Sequence, residues 1–415
     1  MAKKKKKKVN PKQQQAEHRK AYLRKTNELA ARLGVDNFIA SLSSDQRYNL
    51  YELRIRGITV RSESPAITPK VMSEIKRLQA ELFRAYQVDL TEDGPKVLTY
   101  EFLTSVITLY YFLDTEGGLK NDEALRSQFA EFADWVASED GPFQRLHDLL
   151  WYIPLDWCEL THRLYWISHN FEMNGCHVSN DLRLDTVQPE QRRVRLDDRT
   201  RTVYRVGWAL PSAGPQWVSL SASLFDDPAA RGLDELPVFV QSHALHRLEE
   251  RLDCTPRNQQ QLHLYVSLQE PEVVKGPTGK WLIRFYFNSF HLGYFLADIV
   301  DGILLLRTFL FITMDSTPEG YALQQALGLA AVDKKYLSID RLSTFFISDI
   351  REHPDLKEHF VQAGCNDLFR FNTEQVLPEN RIELGDRLRN YLDTGVRREL
   401  PALAMHDEVL QEAVA

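Results

Sequence analysis

In the run Ser242-His243-Ala244-Leu245-His246-Arg247-Leu248-Glu249-Glu250-Arg251, a cationic or imidazole side chain recurs every four residues at His243, Arg247 and Arg251. A helix over this stretch stacks the three on one face and turns Leu245, Leu248 and Leu252 to the other. A phosphodiester suits such a row. Arg247 offers a guanidinium fork to one phosphate, and Arg251 holds its neighbour or pairs with the surroundings of Glu250. His243 heads the helix, where the macrodipole disfavours imidazolium and leaves a neutral base. Such a base can take the proton of an RNA 2′-hydroxyl while a second group protonates the leaving oxygen, with no metal involved. The same residues also read more plainly: His243 as a group fixing the helix start, and the Arg and Glu side chains as surface ion pairs.

A phosphate site needs cations from several elements, because charge grows on the non-bridging oxygens of the transition state. The candidates are Lys280 and Arg284 on one face of a strand, His291 at the start of the next, and Arg307-Thr308 late in a third. Arg307 interrupts the apolar run Ile303 to Phe311, where an unpaired buried guanidinium is prohibitively costly. It must meet water, a ligand, or a carboxylate such as Glu249 or Glu250.

Residues 237 to 312 resemble the small toxin families of the RelE-like and BrnT-like kind, grouped with the barnase and EndoU ribonuclease-like fold. The matching pieces are Ser242-His243-Ala244 with Arg247 and Glu250-Arg251, Pro271-Glu272-Val273-Val274 ahead of the sheet, and Arg307-Thr308-Phe309 on the late strand. The resemblance implies two helices on a curved antiparallel sheet and RNA cleavage without metal. It implies a catalytic set of His243, Arg247, Arg251, Arg307 and Thr308. Family members stand alone, whereas this stretch is embedded, which leaves room for a descendant that binds RNA or protein without turnover.

The elements that must position these groups follow from pattern. Pro237 to Val240 reads as a short strand, Ser242 as the cap of the basic helix, and Thr255-Pro256 as the start of a second helix. Lys280 to Phe287, Leu292 to Val300 and Ile303 to Phe311 read as strands, the last two joined by the hairpin signal Asp301-Gly302. The helices are expected to cover one sheet face and leave the other available.

Upstream, helices are expected at 13–33, 44–56, 69–87, 97–113, 121–137 and 143–170, the last including the aromatic-rich 151–168 read as core. Short hairpins are expected at 190–223, and helices near 318–327, 338–348, 353–363 and 378–392. The fold class is therefore α+β and multidomain. The divisions are a basic disordered tail at 1–20, a helical domain at 21–172, a β-rich segment at 173–236, the α+β domain at 237–312 and a C-terminal helical region at 313–415.

The chain carries a net charge of −7, but residues 1 to 35 hold twelve Lys/Arg against two Glu. The remaining 380 residues carry 39 basic and 56 acidic groups, so any nucleic-acid binding by the body must use a local patch. The run Lys3 to Lys8 suits RNA, DNA or an anionic membrane through salt-sensitive attraction, or a solvated end. No apolar run follows it, so no signal peptide is expected, and no apolar stretch is long enough for integral membrane association.

Cys158, Cys176, Cys254 and Cys365 stand far apart without a CxxC pair, which fits a reducing, cytoplasmic setting and disfavours structural zinc. Asp181, Asp185, Asp197 and Asp198 read as solvated turns rather than metal ligands, and no phosphate-binding glycine motif or HExxH occurs. The expected partners are RNA and a regulatory or neutralising protein, with no cofactor and no metal. The function expected is a metal-independent endoribonuclease or toxin-like effector; the alternative is a noncatalytic RNA-binding or protein-interaction scaffold.

Overall fold

Helix α1 (Pro11–Arg32) opens on a proline whose fixed φ suits a first helical turn, and it stops before Gly34, which takes a left-handed φ of 83°. In the computed structural model, residues 11–55, 57–174, 177–371 and 384–394 are described. The lysine run Lys3 to Lys8, Cys176 and part of the expected helix 378–392 fall outside them. Residues 11 to 20, expected as disordered tail, belong to α1.

The chain forms two units: one takes residues up to Glu190 plus Arg205–Trp217, the other Gln191–Tyr204 and everything from Val218. The stretch 173–236, expected as one β-rich segment, therefore contributes to both.

In the first unit, α2 (Ser44–Glu52) starts with a reciprocal cap between Ser43 and Gln46. Helix α3 (Pro69–Ala85) has Thr68 accepting from the Val71 amide, and its Ile75 and Phe83 are buried. A helical run from Thr99 to Asp114 contains a π-helical segment at Phe102–Val106. The helices α4 (Ala130–Ala137) and α5 (Pro142–Tyr152) complete the α layer, whose core holds Phe38, Phe102, Phe112, Phe129 and Phe132.

A three-stranded sheet accompanies them: β1 (Val60–Arg61) runs parallel to β3 (His177–Val187), which pairs antiparallel with β2 (Leu164–Asn174). The expectation of helix through 170 fails here. The apolar run Leu164 to Ile167 lacks alternation, and only the ladder partner downstream decides for strand. Asp181 and Asp185 accordingly lie on β3, not in turns.

The second unit is built on a mixed sheet, in the order β7-β8-β9-β10-β6-β5-β4. The strands are β4 (Gln191–Leu196), β5 (Arg199–Arg205), β6 (Glu235–Gln241), β7 (Val273–Lys275), β8 (Trp281–Phe287), β9 (Phe290–Val300) and β10 (Ile303–Phe311). Three turns have both central residues at positive φ, Asp197-Asp198 between β4 and β5, Asn288-Ser289 between β8 and β9, and Asp301-Gly302 between β9 and β10, the geometry that follows strand twist.

Strand β6 runs parallel to β10, with Phe239 opposite Leu305, so the sheet is mixed rather than wholly antiparallel. The intervening chain supplies α6 (Ser242–Arg251) and α7 (Arg257–Ser267), which pack on β10 and β8 respectively. Gln241, not Ser242, occupies the cap position of α6, and no side chain caps it.

The face expected to stay available is occupied around β10. Ile303 and Leu305 form a cluster with Phe239 and with Val194, Leu196 and Val203 of the β4–β5 hairpin. Further along, Leu282, Tyr294 and Leu310 form another with Met314. Helix α8 (Pro318–Leu327), capped by Thr317, follows the sheet. No described helix is long and apolar enough to cross a membrane.

Candidate functional site

Carboxylates decide the fate of the predicted cations. On α6, Arg251 is ion-paired with Asp340, and Arg247 bonds Glu250 at 2.5 Å. His243 is exposed in the first turn of the same helix. Arg307 is bridged by Asp298 of β9 at 2.8 Å and by Asp197 from the β4–β5 turn. The expectation of Glu249 or Glu250 as its partner is thus corrected: the carboxylates come from the neighbouring strand and from a turn more than a hundred residues away.

Arg307 is also the extra residue of a β-bulge. Leu296 lies opposite Thr308 and Ala297 opposite Leu306, which leaves Arg307 with no opposite number. Thr308 keeps its place in the ladder. Lys280, exposed just ahead of β8, approaches Asp298 at 3.7 Å, so Lys280 and Arg307 do come together, around one shared carboxylate.

Arg284 and His291 come together in a second group. Arg284 donates to Glu272 at 2.5 Å, and the Tyr286 hydroxyl donates to the other oxygen of Glu272 at 2.6 Å. The Tyr286 hydroxyl holds the Glu272 carboxyl below its usual range, and Arg284 adds to this. Tyr294, fully buried, donates to Glu319 at 2.8 Å; burial pushes Glu319 up. The His291 amide donates to Asp367 at 2.9 Å, and its ring Nε2 donates to the Gly293 carbonyl at 3.1 Å. Burial, helped by the Arg284 guanidinium, lowers the His291 pKa to about 4, so the ring is neutral at pH 7.

The sequence expectation required the α6 cations, the β8 cations and Arg307 around one concavity. The structure instead distributes them over three carboxylate-bound groups: Arg247 and Arg251 near α6, Lys280 and Arg307 on Asp298, and Arg284 with His291. A carboxylate partner offsets a guanidinium's charge and occupies part of its donor fork, which weakens its hold on a phosphate. Among the described residues no group of three or more His, Cys, Asp or Glu side chains is arranged to hold a metal.

Sequence reasoning passed over the arginines of the β4–β5 hairpin. Arg193 and Arg195 lie on one face of β4, opposite Thr202 and Thr200 of β5, with Gln191 and Tyr204 continuing that face. The side chains of Arg193, Arg199 and Arg201 are exposed and form no ion pair or hydrogen bond among the described residues, Arg199 and Arg201 lying on the other face, opposite Leu196 and Val194; Arg195 pairs with Asp198 while both stay largely in solvent. The signal was present in Gln191-Arg192-Arg193-Val194-Arg195-Leu196-Asp197-Asp198-Arg199-Thr200-Arg201, where period-2 alternation sets Arg193 and Arg195 apart from Val194 and Leu196.

Comparison of the chain with protein-family models, with curated proteins and with solved structures finds no match in any of the three.

Proposed function

We propose that the protein is a noncatalytic RNA-binding scaffold whose binding surface is the β4–β5 hairpin. The observation that carries this reading is the contrast between two sets of arginines. Arg247, Arg251, Arg284 and Arg307 are held by carboxylates, whereas on the Thr200–Thr202 face of the hairpin Arg193 presents its guanidinium to solvent with no acidic partner among the described residues, and Arg195 stays largely in solvent beside a likewise exposed Asp198.

Side chains two residues apart on a strand face are about 7 Å from one another, close to the spacing of successive backbone phosphates. Arg193 and Arg195 therefore match one strand of a nucleic acid, and Thr200 and Thr202 add hydroxyls able to bond phosphate or a ribose 2′-hydroxyl. With 39 basic and 56 acidic groups beyond residue 35, a local patch of this kind is what binding requires. The endoribonuclease reading needs Arg247, Arg251 and Arg307 free to stabilise a phosphorane, and their ion pairs speak against it.

The test is fluorescence anisotropy of labelled RNA titrated with the full chain between about 50 and about 200 mM salt. The wild type is expected to bind with steep salt dependence. The double variant Arg193→Ala/Arg195→Ala, which clears one face of the hairpin, is expected to bind more weakly on all sequences, its log–log salt slope shallower by roughly 0.7 to 0.9 for each phosphate no longer neutralised. Equal affinity and equal slope in wild type and variant would sink the proposal.

A further inference from the structure

The first unit contains a cleft of about 810 Å³ along α1, within the size range of small-ligand sites. We propose that this cleft is a nucleotide-binding site that takes an aromatic base joined to a phosphate. The inference does not depend on the hairpin, which belongs to the second unit.

Three features of the wall point to that chemistry. It is aromatic, with Tyr22, Tyr51 and Tyr100 among its residues, and Tyr100 is 40% exposed, leaving ring surface on which a base can stack. It is cationic: Lys25 and Arg54 line it, no carboxylate among the described residues does, and the Lys25 side chain makes no ion pair or hydrogen bond among them. It carries hydroxyls from Thr104, which donates to the Tyr100 carbonyl at 2.8 Å and keeps lone pairs to accept from a ribose, and from Ser105.

The scaffold around these groups is pre-set. The Arg54 guanidinium lies 3.6 Å from the centre of the Tyr51 ring and donates to the Tyr51 carbonyl at 2.5 Å, so the cation needs no ordering when a ligand arrives. Glu52 approaches Arg54 at 3.9 Å and offsets part of its charge, which leaves Lys25 as the main phosphate cation. Thr104 and Ser105 sit in the π-helical segment Phe102–Val106, a local widening of the helix that is common at functional sites. That segment is anchored from the sheet: the Asn180 amide of β3 donates to the Leu103 carbonyl at 3.0 Å, and Asn180 in turn meets His169 of β2 at 2.5 Å.

The base and phosphate have two sources, a free mononucleotide or an unpaired nucleotide within an RNA strand. Isothermal titration of the full chain with AMP, GMP, CMP and UMP, with inorganic phosphate, and with a short single-stranded RNA separates them. Saturable mononucleotide binding is expected, weakened roughly tenfold or more by Lys25→Glu and by Tyr100→Ala, both variants being checked for an unchanged melting temperature. Binding of the RNA alone, with the same weakening in the two variants, supports the site with RNA as its source. The hairpin variant Arg193→Ala/Arg195→Ala is expected to keep mononucleotide affinity, so failure of either site shows separately. The proposal is overturned by no binding of any of these ligands, by affinities indifferent to both cleft variants, or by inorganic phosphate binding as tightly as the nucleotides.

Discussion

Arg251 and Asp340 form an ion pair in which the two side chains are only 8% and 6% exposed. It ties the last turn of α6 to the chain beyond the sheet, where Leu342 also donates its amide to the Arg251 carbonyl at 2.8 Å. Removing one partner leaves a buried charge, so Arg251→Met is expected to cost about 3 to 5 kcal/mol. Pairing it with Asp340→Leu is expected to restore much of that loss. Melting temperatures of the single and double variants check this, and a double variant no more stable than Arg251→Met would contradict it.

His291 makes stability depend on pH. Its unfolded pKa is near 6.5, and burial with the nearby Arg284 guanidinium holds the folded value at about 4, against the opposing pull of Asp367 and Glu272. Between those values the unfolded chain binds more protons, so stability falls as pH drops through the window, by on the order of 3 kcal/mol from this group. Glu319 acts in the opposite sense, because burial raises its pKa above 4.5 and the folded chain keeps a proton that the unfolded chain releases. In His291→Gln the melting temperature is expected to fall less between about pH 7 and about pH 5. Parallel pH curves for wild type and variant would remove the histidine from this account.

Arg307 is expected to matter for stability and not for RNA. Arg307→Ala strips Asp298 of its closest cation, leaving Lys280 at 3.7 Å, and is expected to cost about 1 to 2 kcal/mol. RNA affinity is expected to stay at the wild-type level, and RNA incubated with wild type is expected to remain intact with or without chelator. Intact RNA is read on a denaturing gel; cleavage that Arg307→Ala abolishes would reinstate the catalytic reading.

Gly293 of β9 has no room for a side chain. A Cβ there would lie 2.3 Å from the Leu310 carbonyl oxygen and 2.8 Å from the Phe309 ring. Gly293→Ala is therefore expected to destabilise the second unit by about 1 to 3 kcal/mol, seen as a lowered denaturation midpoint. An unchanged midpoint would mean that strands β9 and β10 separate more easily than their packing suggests.

Much of the second unit was legible because its turns and patterns agree. The Asp301-Gly302 signal placed β9 and β10, and the helix from Pro318 to Leu327 was marked by Thr317 and Pro318. The same turn sets Val300 opposite Ile303, which puts Asp298 and Leu305 on one face with Arg307 two residues further on. The carboxylate partner of Arg307 was thus within reach of a register argument, although the bulge at Arg307 was not. Asp197 was out of reach, since its approach depends on a hairpin that enters the sheet from far upstream. The β2 strand was misread as helix for a related reason: a continuous apolar run yields its conformation only to a partner strand.

That hairpin has a consequence for dissecting the gene. Residues 191–204 belong to the second unit, but the chain on both sides of them belongs to the first, so no single cut separates the two. A fragment beginning at Val218 would lose β4 and β5 and leave part of β6 with open backbone donors and acceptors, beside an uncovered Phe239. Such a fragment is a candidate for inclusion bodies, and expression of the second half alone calls for the hairpin to be grafted back.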